Sequence, residues 1–254
     1  MDLVYRLAIA TSRLLFRLLG LRIRVEGAEH VPRVGPAIVV SNHVSFLDFI
    51  FVGLAARPSG RFVRFLTRYD VWHNAIAGPA MTAMCHVPVD RAAPAGAFLE
   101  ARGALIRGEV VGIFPEAGIS RSFTVRAMMP GAVALSRSTG ARVVLVAVWG
   151  PQRIATAGLP ISLRRGRAVS IVVSAPITLP TEGSVQDSTV ELGRQLQQLV
   201  DGVQRRHPDQ PRPGHPDRRQ PAHLGGAAPT AADAAVGADV PRTAVHPPDA
   251  SAMF

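Results

Sequence analysis

Between positions 21 and 206 the chain alternates short apolar, β-branched runs with longer helical stretches. The runs fall at 22–25, 37–40, 62–66, 87–89, 110–114, 142–148 and 169–173. Stretches with helical character fill gaps near 48–56, 74–84, 95–106, 131–138 and 190–204. Strands alternating with helices predict an α/β fold, a mostly parallel or mixed central sheet flanked by helices. No internal repeat interrupts this order.

The first 20 residues form a different pattern. On a helical wheel Asp2, Arg6, Arg13 and Arg17 fall on one stripe, and Leu3, Val4, Leu7, Ile9, Leu14, Leu15, Phe16, Leu18 and Leu19 cover the rest. A broad apolar face beside an arginine stripe predicts an amphipathic helix lying in a membrane interface, with a helix packed on the domain as the competing reading. Arg13 interrupts the apolar stretch, which argues against a secretory signal. No run of about 18 uncharged apolar residues suggests a membrane span. At the other end, residues 207–254 are rich in Pro, Ala, Asp and Gly and poor in large apolar side chains, so disorder is expected there.

The net charge of +10 is carried entirely by arginine, because none of the 28 basic residues is lysine. Lysine chemistry, such as a Schiff base or a phosphate-loop lysine, is thereby excluded. The first 206 residues hold 24 Arg against 13 acids, a net +11, whereas the tail carries −1. A basic body suggests an anionic partner: nucleic acid, lipid headgroups or CoA-like phosphates. A single cysteine, Cys85, rules out an intramolecular disulfide and a cysteine metal cluster.

Asn42-His43-Val44-Ser45-Phe46-Leu47-Asp48 follows directly on the run at 37–40. It places a carboxylate five positions after an imidazole. A carboxylate on one ring nitrogen fixes the tautomer and stabilises the imidazolium, leaving the other nitrogen to take a proton. In a hydrolase triad a serine supplies that proton. No Gly-x-Ser-x-Gly elbow accompanies His43, which points to a nucleophile brought by the substrate. The same residues also fit a capping box, with Ser45 as N-cap and Asp48 three positions on.

Phe114-Pro115-Glu116-Ala117-Gly118-Ile119-Ser120-Arg121-Ser122 runs out of the strand predicted at 110–114, at the end where open α/β sheets place ligand contacts. Glu116, Ser120 and Arg121 offer an acceptor, a hydroxyl and a guanidinium fork suited to phosphate. A solvated loop with a salt bridge is the plainer alternative. His86-Val87-Pro88-Val89-Asp90-Arg91 ends another short strand with a second arginine. His86 reads as structural, and Cys85 as a packing residue.

These three segments, in this order and spacing, resemble the lysophosphatidic acid acyltransferase family (1-acylglycerol-3-phosphate O-acyltransferases). That family carries Asn-His-x-Ser-x-x-Asp, a short strand ending in Asp-Arg, then Phe-Pro-Glu-Gly-Thr-Arg-Ser, and a last strand with Val-Pro-Val. The resemblance covers about residues 20–180. Here Glu116 is followed by Ala117-Gly118-Ile119-Ser120-Arg121, so the arginine is displaced by two positions. Leu145 stands where the last block has proline, the glycine expected before the second block is replaced near Cys85, and only Arg126 could stand in for downstream lysines.

The resemblance implies transfer of a fatty acyl group from acyl-CoA or acyl-carrier protein to the free hydroxyl of 1-acyl-glycerol-3-phosphate, giving phosphatidic acid. His43 is then the base and Asp48 its orienting carboxylate. Arg91, Glu116, Ser120 and Arg121 fall at the acceptor phosphate. No cofactor and no metal are implied. The expected organisation is an amphipathic helix at 1–20, an acyltransferase domain at 21–206 and a disordered tail at 207–254. A protein of this kind would sit peripherally on the cytoplasmic face of the membrane, against an anionic lipid surface. Rival readings are an acyltransferase for another lysophospholipid or a glycolipid, a non-catalytic lipid-binding protein, and an esterase. Nucleic acid is not expected as a partner, because no basic patch interleaved with aromatics is found.

Overall fold

The computed structural model describes residues 2–210, 214, 216–236, 241 and 243–245. Seven strands, β1 (Arg22–Glu26), β2 (Ala37–Ser41), β3 (Val63–Arg68), β4 (Val87–Val89), β5 (Val110–Ile113), β6 (Arg142–Trp149) and β7 (Ala168–Val173), form one sheet in the order β1-β7-β6-β2-β5-β3-β4. All neighbouring pairs are parallel except β6 and β7. The sheet is therefore mixed, as the alternation of strands and helices led us to expect.

Both faces of β2, β5, β6 and β7 are covered, which is why those strands are almost continuously apolar, whereas the edge strand β1 is mostly exposed and alternates charged with apolar residues. Successive side chains point to opposite faces, and the two sides of β2 enter two separate cores. Ala37 and Val39 pack with Phe51 and Val52 of α2 (Asp48–Ala55) and with Phe16 of α1 (Asp2–Leu18). Ile38 and Val40 pack with Ala101 and Leu105 of α4 (Pro94–Ile106), Val133 and Leu135 of α5 (Gly131–Thr139), and Leu192 and Leu196 of α6 (Val185–Arg206). Ser184 caps α6 by accepting from Asp187 N at 3.2 Å, so this helix starts earlier than its apolar period suggests. By contrast α3 (Ala77–Ala83) starts later than the predicted 74, because Asn74 Oδ1 takes the amides of Ile76 and Ala77 (3.0 and 2.9 Å) in a turn.

Helix α1 has three sides. Tyr5 and Phe16 are buried on the domain, where the Tyr5 hydroxyl donates to Val63 O at 3.0 Å and Phe16 stacks on Phe51 with centroids 4.6 Å apart. Arg6, Arg13 and Arg17 are exposed. On the third side Leu3, Leu7, Leu14, Leu15 and Leu18 stand in the open, each more than half exposed. Among the described residues no helix is long and apolar enough to cross a membrane.

The tail makes contacts with the domain through described residues. Among its described residues His207 and Gln220 are buried, Asp217 pairs with Arg153 at 2.9 Å, and Arg219 donates to Pro160 O at 2.9 Å. Residues 231–235 form a short capped helix, α7 (Ala231–Ala235). The compositional argument counted large apolar side chains, whereas this segment is held by polar anchors onto an existing surface. Positions 211–213, 215, 237–240, 242 and 246–254 of the expected disordered tail lie outside the described residues.

Candidate functional site

Strands β2 and β5 are adjacent and parallel, so their carboxyl ends bring the loops at 42–47 and 114–122 together. That edge of an open sheet is where ligands bind. The chain leaves β2 at Ser41, yet Asn42 prolongs the ladder with its side chain. Its carboxamide donates to Val148 O (3.0 Å) and accepts from Val148 N (2.8 Å), as a peptide group would. The loop that follows is thereby registered on β6.

His43 Nδ1 lies 3.0 Å from Asp48 Oδ2. The same oxygen accepts the backbone amides of Val44 and Ser45, each at 2.7 Å. Asp48 is fully buried at the start of α2, and its Oδ1 has no partner among the described residues. Burial pushes its carboxyl above the usual range, against the pull of His43 and the two amides. The His43 side chain keeps 22% of its surface accessible. With Nδ1 committed to Asp48, Nε2 is the ring nitrogen left to exchange a proton.

The capping-box reading is corrected. Helix α2 begins at Asp48 with Leu47 as N-cap and no side-chain cap. Ser45 Oγ instead donates to Ala155 O (2.6 Å) and accepts from Leu47 N (3.1 Å). Thr156 Oγ1 donates to Val44 O at 2.7 Å, so the segment after β6 grips this loop at two points. Residues 155 and 156 were not flagged by the sequence, since no local pattern marks a partner 110 or more positions away.

Glu116 and Ser120 were expected to meet a phosphate, and the structure places both in the scaffold. Glu116 is 2% exposed, its Oε1 accepts His43 N at 2.8 Å, and its Oε2 accepts Arg126 N at 2.9 Å. Burial outweighs these two bonds and raises the carboxyl to about 7. Ser120 is buried, donates its hydroxyl to Thr124 O (2.7 Å), and gives its amide to His43 O (2.7 Å). Together they clamp the backbone of His43 from both sides. Since the hydroxyl protons of Ser45 and Ser120 are both spent on carbonyls, neither serine is presented to His43 as a nucleophile.

The arginines separate. Arg91 donates to the carbonyl of Ala117, and the Arg126 guanidinium lies against Gly118, where an added Cβ would come within 3.0 Å of it. Both therefore flank the turn beside Glu116. Arg121 turns the other way and lines a cleft of about 20 Å³ with Gly158, Leu159 and Arg218. Arg126, not Arg121, thus lies at this turn. Ala117 itself has φ 53° and Cys85 φ 55°. Both stand where the resemblance places glycine, and both keep the left-handed backbone that glycine adopts freely.

An aromatic relay supports the ring. His43 stacks on Phe114 (centroids 4.5 Å), and Phe114 stacks on Phe65 (5.8 Å). Gly112 of β5 leaves room for Phe65, since a Cβ there would sit 2.5 Å from its ring. His86 accepts the Phe65 amide at Nδ1 (3.0 Å), and burial lowers its pKa to about 4. It is a neutral structural histidine, as expected. Among the described residues no group of three His, Cys, Asp or Glu side chains is placed to hold a metal ion.

A chloroplastic 1-acyl-sn-glycerol-3-phosphate acyltransferase of Arabidopsis thaliana, LPAT1, is 31% identical over 160 residues, covering 61% of this chain and 44% of that protein. A second, BAT2 of Brassica napus, is 28% identical over 157 residues, 60% of this chain and 44% of the other. The chain thus spans less than half the length of these curated relatives. Its fold superposes on the crystal structure of the 1-acyl-sn-glycerophosphate (LPA) acyltransferase PlsC from Thermotoga maritima with a TM-score of 0.61 and 22% identity, covering 75% of this chain and 76% of that one. At that identity the likeness is one of fold. Residues 22–149, just over half of the chain and including both loops of the site, match the family described as Acyltransferase. The chain belongs to the acyltransferase family.

Proposed function

We propose that the protein transfers a fatty acyl group from the thioester of CoA or acyl-carrier protein to the free hydroxyl of 1-acyl-glycerol-3-phosphate, giving phosphatidic acid. The observation that carries this reading is the His43–Asp48 pair, tied at Nδ1 and open at Nε2, with no serine turned toward it. His43 Nε2 takes the proton of the acceptor hydroxyl as that oxygen attacks the thioester carbonyl. Asp48 stabilises the imidazolium. When the tetrahedral adduct collapses, the carbon–sulfur bond breaks and His43 returns its proton to the leaving thiolate. No acyl-enzyme and no metal enter these steps.

Arg91 and Arg126, at the turn beside Glu116, are the guanidinium groups we assign to the acceptor phosphate. Guanidinium donors match phosphate oxygens in pairs. The exposed leucines of α1 give the protein a surface for a lipid interface, in keeping with two lipid substrates and peripheral attachment to the cytoplasmic face of the membrane. The displacement of Arg121 from the turn favours one second reading, a different lysophospholipid as acceptor.

The test is acyl transfer in mixed micelles with oleoyl-CoA and a panel of lysophospholipids, wild type beside His43→Ala. Loss of the base is expected to lower turnover by at least about 10². Near-normal turnover in that variant would sink the mechanism. A preference for another headgroup would keep the chemistry and change the acceptor.

A further inference from the structure

A second concentration of positive charge lies on the same edge of the sheet. Strand β7 runs antiparallel to β6 and parallel to β1, with Trp149 opposite Ser170 and Arg22 beside Ala168. The start of β7, the start of β1 and the segment after β6 therefore meet there. They enclose a cleft of about 510 Å³ lined by Arg22, Arg153, Arg164, Arg165 and Arg167, with Asp209 and Asp217 of the tail opposite.

Charge in this cleft is not balanced from within. Arg22 reaches Asp209 at 3.6 Å, and Arg153 pairs with Asp217 at 2.9 Å. Among the described residues Arg164, Arg165 and Arg167 make no ion pair, so five guanidinium groups face two carboxylates. Arg153 is only 5% exposed, and its Nε is buried without a partner, as is Arg167 Nε. Burial and the neighbouring charge of Arg167 pull the Arg153 guanidinium downward against the lift from Asp217 and Asp209. A desolvated arginine with an idle donor, among like charges, is stabilised by an anion that brings several acceptor oxygens.

We propose that this cleft is a second anion site of the protein, distinct from the turn holding Arg91 and Arg126, and that it binds a phosphate ester. Two molecules carry that chemistry to this edge of the sheet. One is the nucleotide end of a CoA thioester. The other is the headgroup of an anionic phospholipid, for which the exposed Ile161 and Leu163 beside the arginines would provide an apolar border. The site is tied to the catalytic loop through the contacts of Ala155 and Thr156 with Ser45 and Val44, two and three residues after Arg153.

The experiment reads binding alone, so it stands whether or not the acyl-transfer reading does. Titration with 3′,5′-ADP and cosedimentation with phosphatidylcholine vesicles, with and without phosphatidylglycerol, are compared for three proteins. These are wild type, Arg164→Gln/Arg165→Gln, and Arg33→Gln/Arg142→Gln, which removes the same charge from the opposite end of the sheet. Arg164 and Arg165 are exposed, so the first variant keeps the fold, and a circular dichroism spectrum checks this. It is expected to weaken one probe by at least about tenfold while the opposite-end variant changes it by less than about twofold. Loss confined to 3′,5′-ADP assigns the site to a nucleotide. Loss confined to the phosphatidylglycerol-dependent part of sedimentation assigns it to a lipid headgroup. Equal loss in both variants, or no loss in either, overturns the proposal.

Discussion

Replacing Glu116 by glutamine asks which of two opposing effects governs the buried clamp on His43. Two backbone N–H groups, from His43 and Arg126, favour the carboxylate, and complete burial disfavours it. Burial wins, moving the group from 4.5 to about 7. A folded-state pKa above the unfolded value means that the native protein holds the proton more tightly. The associated stability is fully present below about 4.5 and is lost as pH rises through about 7. The displacement corresponds to about 3 kcal/mol. Glutamine cannot titrate. Its NH₂ group faces one of the two amides and costs a constant ~1–3 kcal/mol at every pH. The difference between the two proteins therefore changes with pH, and its slope carries the information rather than its offset. Urea unfolding of both proteins at several values between about pH 4.5 and pH 8.5 should show wild type losing about 3 kcal/mol relative to Glu116→Gln. A gap independent of pH would mean that Glu116 titrates normally. A gap that grows in favour of wild type would mean that the two N–H bonds overcome burial, and the reasoning would be refuted.

Asp48→Asn should leave the loop in place, because an asparagine oxygen can take the three donors now held by Oδ2 while its NH₂ group occupies the position of the unpartnered Oδ1. Unfolding within about 1 kcal/mol of wild type together with turnover reduced by about 10² or more is expected, and unchanged turnover would show that the charge is not used. Gly112→Ala puts a Cβ 2.5 Å from the Phe65 ring and 2.6 Å from Val63. Denaturation should register a loss of about 1–3 kcal/mol, with lower turnover as the disturbance passes through Phe114 to His43; a stable, fully active variant would argue against the relay. Leu7→Gln/Leu14→Gln/Leu18→Gln alters only exposed positions of α1, so the fold should persist while partitioning into vesicles drops. Equal partitioning would exclude α1 as the lipid-binding surface.

Much of the architecture was legible in the chain because its elements obey local rules. Each run became a strand within about two residues at either end, most plainly in the central strands, which are buried on both faces and so are apolar throughout. The contact between His43 and Asp48 was legible for a similar reason: the four residues between them suffice to return Asp48 to His43. Helix ends were less legible where a side chain intervened, as Asn74 and Ser184 do. The contacts of the described tail residues were not legible, because composition measures the capacity to build a core, not to fasten onto one.

Sequence alone therefore determined the strand and helix pattern and the pair that can move a proton, all of which depend on neighbours close along the chain. Tertiary structure decided the rest. It assigned Glu116 and Ser120 to holding the backbone of His43, and it sent Arg121 to one side of the loop while bringing Arg126 to the other. It also closed Ala155 and Thr156 onto the loop carrying His43 and gathered arginines from three distant segments into one cleft. These are contacts between residues tens of positions apart. Which of them form depends on the order and direction of strands in the sheet, and that arrangement is settled only when both cores close.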